Sequence, residues 1–220
     1  MSNYRYPALE ACCLLCAADF CTFHFLEETM KKLEQIVSQA MESVRSLTEL
    51  DEFFENNKQA IIEACTPAEV PDGLKLRVST AVVCAHKSFL FLYQRTPAGS
   101  GQEPLRGIVG KLETPKGVVP FTGPGKWYAD ESLVTGRIVG VAIATETNPS
   151  FGEYVVMPVI VFEVNEAGRA HLDSVADRPH EKLAGVTGYE WVPVDEINDK
   201  NAMSKITAAS VKIKNIKKLN

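Results

Sequence analysis

The spacing of hydrophobic positions changes once along the chain, near residue 72. Before that point Met30, Leu33, Val37, Met41 and Val44 recur at steps of three and four, with Glu, Lys, Gln and Ser between them. That period predicts an amphipathic helix, within a helical stretch running over residues 8–64. A further helix is predicted over residues 48–65, with Thr48 as its N-cap and Asp51 three residues on. Thr66-Pro67 and Val70-Pro71-Asp72-Gly73 then end the helical region with breaker chemistry. Beyond them the apolar residues gather in short runs. Residues 76–86 and 88–95 predict two strands joined by a tight turn at His86-Lys87, and residues 96–102 a loop. Residues 153–164 are β-branched and apolar but for Glu153 and Glu163, and predict a central strand buried on both faces. Pro158 within it removes a ladder donor, a feature more usual at an edge or a bulge. A shorter strand is predicted over 188–194. Residues 201–219 predict a closing amphipathic helix with Met203, Ile206, Ala209, Ile213, Ile216 and Leu219 on one face.

Strands, a loop-rich connection, a central strand, then a strand and a helix predict an α+β domain over residues 73–220, preceded by a helical appendage over 1–72. Composition agrees with a folded domain: 45% of the residues are apolar and 23% charged. Charge is unevenly placed, and this changes the picture. Residues 1–72 hold five Lys/Arg against thirteen Asp/Glu, a balance of −8, while the chain from Lys200 onward has six lysines and no acid. Opposed ends of this kind suit contacts between copies through the N-terminal helices, and the basic tail suits an acidic partner or RNA. The ordinary reading of the tail is a solvated helix face.

Four of the six cysteines crowd into Cys12, Cys13, Cys16 and Cys21 without a disulfide-like framework. Cys13, Cys16, Cys21 and His24 have the ligand types and short spacing of a zinc site. Their apolar surroundings equally fit buried cysteines on a helix. The apolar start is interrupted by Glu10, Asp19 and His24, which argues against a signal peptide or a membrane anchor and for an intracellular (cytoplasmic) protein. No Walker-type phosphate loop and no dinucleotide fingerprint occurs.

The order of FLYQRT (91–96), EPLRG (103–107), PKGVV (115–119) and ATETN (144–148), with YEWVPVDEI (189–197) near the end, resembles the Nudix hydrolase family over residues 76–200. The resemblance implies an α/β/α sandwich with a mixed sheet. It also implies a Gly-rich loop running into a helix whose glutamates hold Mg²⁺ for diphosphate cleavage. Gly125 and Glu131 keep the family's Gly-to-Glu spacing, with Gly117 as an earlier equivalent of the glycine. Glu146 stands where the last glutamate of the family's helix belongs. Val141, Ala142 and Thr145 stand where an Arg and two further glutamates belong, so most of the family's carboxylates are replaced.

The resemblance implies a helix over 136–147, and that is the expectation here. The alternation of Val139, Val141, Ile143, Thr145 and Thr147, with Gly136 and Gly140, favours a strand instead. Candidate catalytic groups are Glu146 and Glu131, and candidate metal ligands are Glu146, Glu131, Asp130 and Glu153, with Glu113 in reserve. Arg95, Arg106, Lys116 and Gly117 are candidates for facing a phosphate, and Trp127 and Tyr128 for stacking on a base. With so few carboxylates left, the expectation is a Nudix-like domain that binds a nucleotide-like ligand, an RNA or a protein partner. A divergent Mg²⁺-dependent pyrophosphohydrolase and an assembly protein are the two alternatives.

Overall fold

The computed structural model describes residues 10–95, 105–108, 121–122, 129–148, 151–176, 186–197 and 213; for 10–24, 93–95, 105–108, 121–122, 148 and 186–189 it describes the backbone alone. Three helices come first: α1 (Glu10–Ser43), α2 (Leu47–Asn56) and α3 (Lys58–Cys65). On α1 the buried stripe is Thr29, Leu33, Val37 and Ala40, at steps of four, four and three. The cap of α2 is Ser46, two residues before the expected Thr48. Its side chain accepts from the Glu49 N–H at 3.2 Å, and the Glu49 carboxylate accepts from the N–H of Arg45, the residue before the cap, so each side chain satisfies a backbone donor at the helix start. The expected single helix over 48–65 is two, broken at Asn57, whose side-chain amide donates to the Phe53 carbonyl at 2.9 Å.

The strands are β1 (Lys75–Ser79), β2 (Ala81–His86), β3 (Phe89–Arg95), β4 (Leu105–Ile108), β5 (Phe121–Thr122), β6 (Gly136–Asn148), β7 (Glu153–Val164) and β8 (Val186–Pro193); α4 (Glu166–Val175) follows β7, and a short 3₁₀ turn (Val194–Glu196) follows β8. They form one mixed sheet. β7 is central, as expected, with antiparallel β6 on one edge and parallel β1 and β2 on the other.

β1 and β2 are one strand in all but the ladder. Lys75 pairs with Glu153 and Ala81 with Val159, the same offset of 78 residues. The gap at Ser79-Thr80 falls opposite Met157-Pro158, where proline has no N–H to give. Pairing with β6 runs through Pro158 without a break, at Ile143↔Pro158. A proline is tolerated inside a central strand because its missing donor faces one neighbour only.

The hairpin β2–β3 turns on Lys87 and Ser88, one residue later than expected, with Lys87 in the left-handed region at φ 52°. β3 pairs with β2 only at Phe89 and Leu90 and then turns away, and its own freed edge is taken by β4. On the far edge β3 pairs along its length with β8. The corresponding stretch of β1 is taken by β5, so the sheet forks between β2 and β3.

The expected helix over 136–147 is a strand. β6 runs thirteen residues antiparallel to β7, with a bulge between Ile138 and Gly140. The alternating β-branched residues decide the matter, and Gly136 permits the approach: a Cβ there would lie 2.1 Å from the Glu163 carbonyl oxygen. Helix α4 was not anticipated. Asn165 caps it, accepting from the Gly168 N–H at 2.9 Å, and the same oxygen accepts from the Thr135 hydroxyl at 2.8 Å.

One face of the sheet, with Val78, Val82, Cys84, Phe91, Val156, Ile160 and Phe162, is covered by α1–α4 in a single core. The N-terminal helices expected as an appendage therefore form a layer over the sheet. The other face carries Val83, Leu90, Leu92, Val155, Met157, Val159 and Val161, with Ile197 and Ile213 packed on it. Apart from Ile213, the closing helix expected over 201–219 lies outside the described residues. Among those residues no helix is long and apolar enough to cross a membrane.

Candidate functional site

The carboxylates expected to share a metal lie at two ends of the sheet. Glu146 is exposed and pairs with Val155, near the start of β7. Glu131 and Asp130 precede β6, whose first residue, Gly136, pairs with Val164 at the other end of β7. Ten residue steps along β6 separate Gly136 from Glu146, about 33 Å at 3.3 Å each. The turn that holds Asp130 is tied to α4, because its N–H donates to His171 Nε2 at 3.1 Å. Asp130 and Glu131 are therefore on the order of 20 Å or more from Glu146, since α4 rises only about 1.5 Å per residue. One ion bound at about 2.1 Å cannot join them.

The Asp130 carboxylate is engaged locally. It accepts from the Ser132 hydroxyl at 2.7 Å and the Ser132 N–H at 3.1 Å. The Ser132 hydroxyl bond, then the Ser132 N–H and the nearby His171, hold its pKa below the usual carboxylate value. Glu153 lies at the same end of the sheet as Glu146, diagonally across β6–β7, but its carboxylate takes a hydrogen bond from Arg77 Nη1 at 2.9 Å. Among the described residues no three His, Cys, Asp or Glu converge as metal ligands. These residues do not fit the magnesium that the resemblance implies.

Arg95 ends β3 opposite Leu105 and Val186, and Arg106 lies in β4 opposite Gln94, so both backbones border the fork. Lys116, Gly117, Trp127 and Tyr128, with Glu113, lie outside the described residues. Cys13, Cys16, Cys21 and His24 are on the backbone of α1, with side chains outside the described residues.

A cavity of about 550 Å³ opens at the end of the sheet remote from Glu146, between the last turn of α1, the β2–β3 turn, the start of β6 and the passage from β7 to α4. Its volume is within the range of small-molecule sites. Its floor is His86, the polar end of an otherwise apolar strand, only 4% exposed. His86 Nδ1 lies 2.9 Å from the Val164 carbonyl oxygen and donates to it. Nε2 is buried with no hydrogen-bond partner, 3.5 Å from Glu166 Oε1. The imidazole stands edge-on to Trp191, centroids 6.1 Å apart. Trp191 is itself fixed by donating to Asp173 Oδ1 at 2.6 Å and by the Arg169 guanidinium 5.3 Å over its ring.

Around the rim stand three cations. Lys87 Nζ lies 3.5 Å from Glu166 Oε1. Arg137 gives Nε and Nη2 to Glu163 Oε2 at 2.8 and 2.7 Å. Arg45 donates to the Val44 and Glu42 carbonyls at the C-terminus of α1, where a cation is favoured. None of these groups was singled out from the sequence. The signal available was weak, a lone histidine closing an apolar run.

The mixed sheet with helices packed on it defines an α+β protein. No family model matches the chain, and no curated protein matches it. Among solved structures the chain is similar to the ORF135 protein of E. coli at 13% identity, with a TM-score of 0.36 over 66% of this chain and 92% of that one. It is also similar to a NUDIX hydrolase from Nitrosomonas europaea at 14% identity, with a TM-score of 0.31 over 61% of this chain and 84% of that one. Likenesses this faint carry no argument about chemistry.

Proposed function

We propose that the chain is a Nudix-like binding domain that does not cleave diphosphates through Glu131 and Glu146. The order of motifs over residues 76–200 supports the build. The observation that carries the loss of hydrolysis is β6: a strand sets successive side chains on opposite faces, and Glu131 and Glu146 stand at its two ends. A nucleotide-like ligand is the first class to test. The fork between β2 and β3, where Arg95 and Arg106 lie, is the natural place for its phosphates.

The competing reading, a divergent Mg²⁺-dependent hydrolase, draws on Glu146 and Glu153 being diagonal neighbours. It is weakened by the Arg77 bond that already occupies Glu153. The experiment is a turnover panel of nucleoside diphosphate derivatives with and without Mg²⁺, run on the native chain, Glu131→Gln and Glu146→Gln. No Mg²⁺-dependent cleavage above background is expected from any of the three. Cleavage by the native chain that falls a hundredfold or more in Glu146→Gln would establish the hydrolase instead.

A further inference from the structure

We propose that the cavity floored by His86 is an oxyanion-binding site, in which the Glu166 carboxylate occupies the place of a ligand's carboxylate or phosphate. Both ring nitrogens of His86 face acceptors, the Val164 carbonyl at 2.9 Å and Glu166 Oε1 at 3.5 Å. With Nδ1–H given to the carbonyl, Nε2 is left buried and unpartnered at the cavity wall. A buried nitrogen in that condition calls for a partner, and 3.5 Å is too long for a good hydrogen bond.

Glu166 is a loose occupant. Its side chain is 78% exposed, and it reaches His86 and Lys87 only at 3.5 Å each. It is also the first residue of α4, so a group that replaces its carboxylate sits at the positive end of a ten-residue helix. An oxyanion there would face His86 Nε2 and the Lys87 ammonium together. The remaining charges of the wall are largely spoken for: Arg137 holds Glu163, and Arg45 caps α1. The net demand is for one small anion. A cavity of about 550 Å³ has room for an organic body behind the anionic group. The site lies at the opposite end of β6 from Glu146, and it stands or falls independently of the Nudix-like reading.

Isothermal titration calorimetry at constant ionic strength and pH 6.5, with inorganic phosphate, adenosine monophosphate and succinate as probes, tests the proposal. The variants are Glu166→Gln, which removes the internal competitor, and Lys87→Asn, which removes the charge but keeps a residue tolerant of positive φ. Lys31→Ala, on the exposed face of α1, controls for general charge. One saturable site is expected. Its affinity should rise at least fivefold in Glu166→Gln, fall at least fivefold in Lys87→Asn and stay unchanged in Lys31→Ala. The tightest probe then separates a phosphate from a carboxylate source. Absence of saturable binding in both the native chain and Glu166→Gln would overturn the proposal. So would a Glu166→Gln affinity no better than native, or an equal loss in Lys31→Ala.

Discussion

Cys84, in the middle of β2, has no exposed surface, and burial alone pushes its thiol far above the ordinary range; Cys65, at the end of α3, is pushed up to about 12 by the same cause. Neither is a nucleophile at neutral pH. The consequence for stability has a definite sign. Each folded-state value is raised above the unfolded thiol's value of about 8.5, so the stabilisation is complete below that pH and is lost as pH rises toward 12. Each thiol contributes a slope of up to about 1.4 kcal/mol per pH unit in that window. Urea midpoints should therefore fall between pH 8.5 and 10, and the fall should flatten in Cys65→Ala/Cys84→Ala, whatever the starting midpoint of that variant. His86 shows the limit of reading at this scale. Its interactions join it to Val164, a separation of 78 residues, and to Glu166 in the next element, so no local spacing reveals them.

Among the elements, β7 was legible in full because ten of its twelve residues are apolar, many of them β-branched, and admit little else. β6 was legible too, in its alternation of Val, Ile and Thr, but the resemblance to a family with a helix at that point argued the other way. Side-chain period and the two glycines decided the structure. α4 was hidden by its shortness and by Gly168, which lowers helix propensity. That glycine is needed for contact: a Cβ would lie 2.5 Å from the Thr135 carbonyl oxygen. Gly136 is under the same constraint from three atoms of β7, the nearest at 2.1 Å. Gly136→Ala should destabilise the fold by about 3 kcal/mol or more, because strand backbone rather than a flexible side chain would have to yield. Urea denaturation measures it. A loss under about 0.5 kcal/mol, the usual range for surface substitutions, would mean that the start of β6 lies farther from β7 than described.

For the whole molecule, the change of texture near residue 72 is real in the sequence, yet the core crosses it. Leu33, Val37, Leu47, Leu50, Phe54 and Ile61 pack in one cluster with Val82, Val156, Ile160 and Phe162. Composition shows a boundary of secondary structure, and only packing shows whether it is a boundary of stability. Residues 73–220 expressed alone would expose that sheet face as a large apolar patch. The fragment is expected to aggregate, or to lose near-ultraviolet circular dichroism and a cooperative melt. A soluble, cooperatively melting fragment would show that the helices are dispensable. The candidate metal site was less legible than the fold, since Glu131 and Glu146 are held apart by the strand β6 where the resemblance implied a helix.

The constant offset of 78 residues between the broken strand and β7 also orders events in time. During synthesis α1–α3 and the first strands leave the ribosome well before β7, the strand that the sheet is built on. The β6–β7 hairpin closes over a short span, whereas parallel pairing with β1 and β2 must bring together distant stretches of chain. The helices must therefore wait, with their apolar stripes unpaired. Thirteen acids against five bases in residues 1–72 give that waiting segment a strong charge of one sign. Such a charge keeps nascent copies apart until the strand they cover has been made.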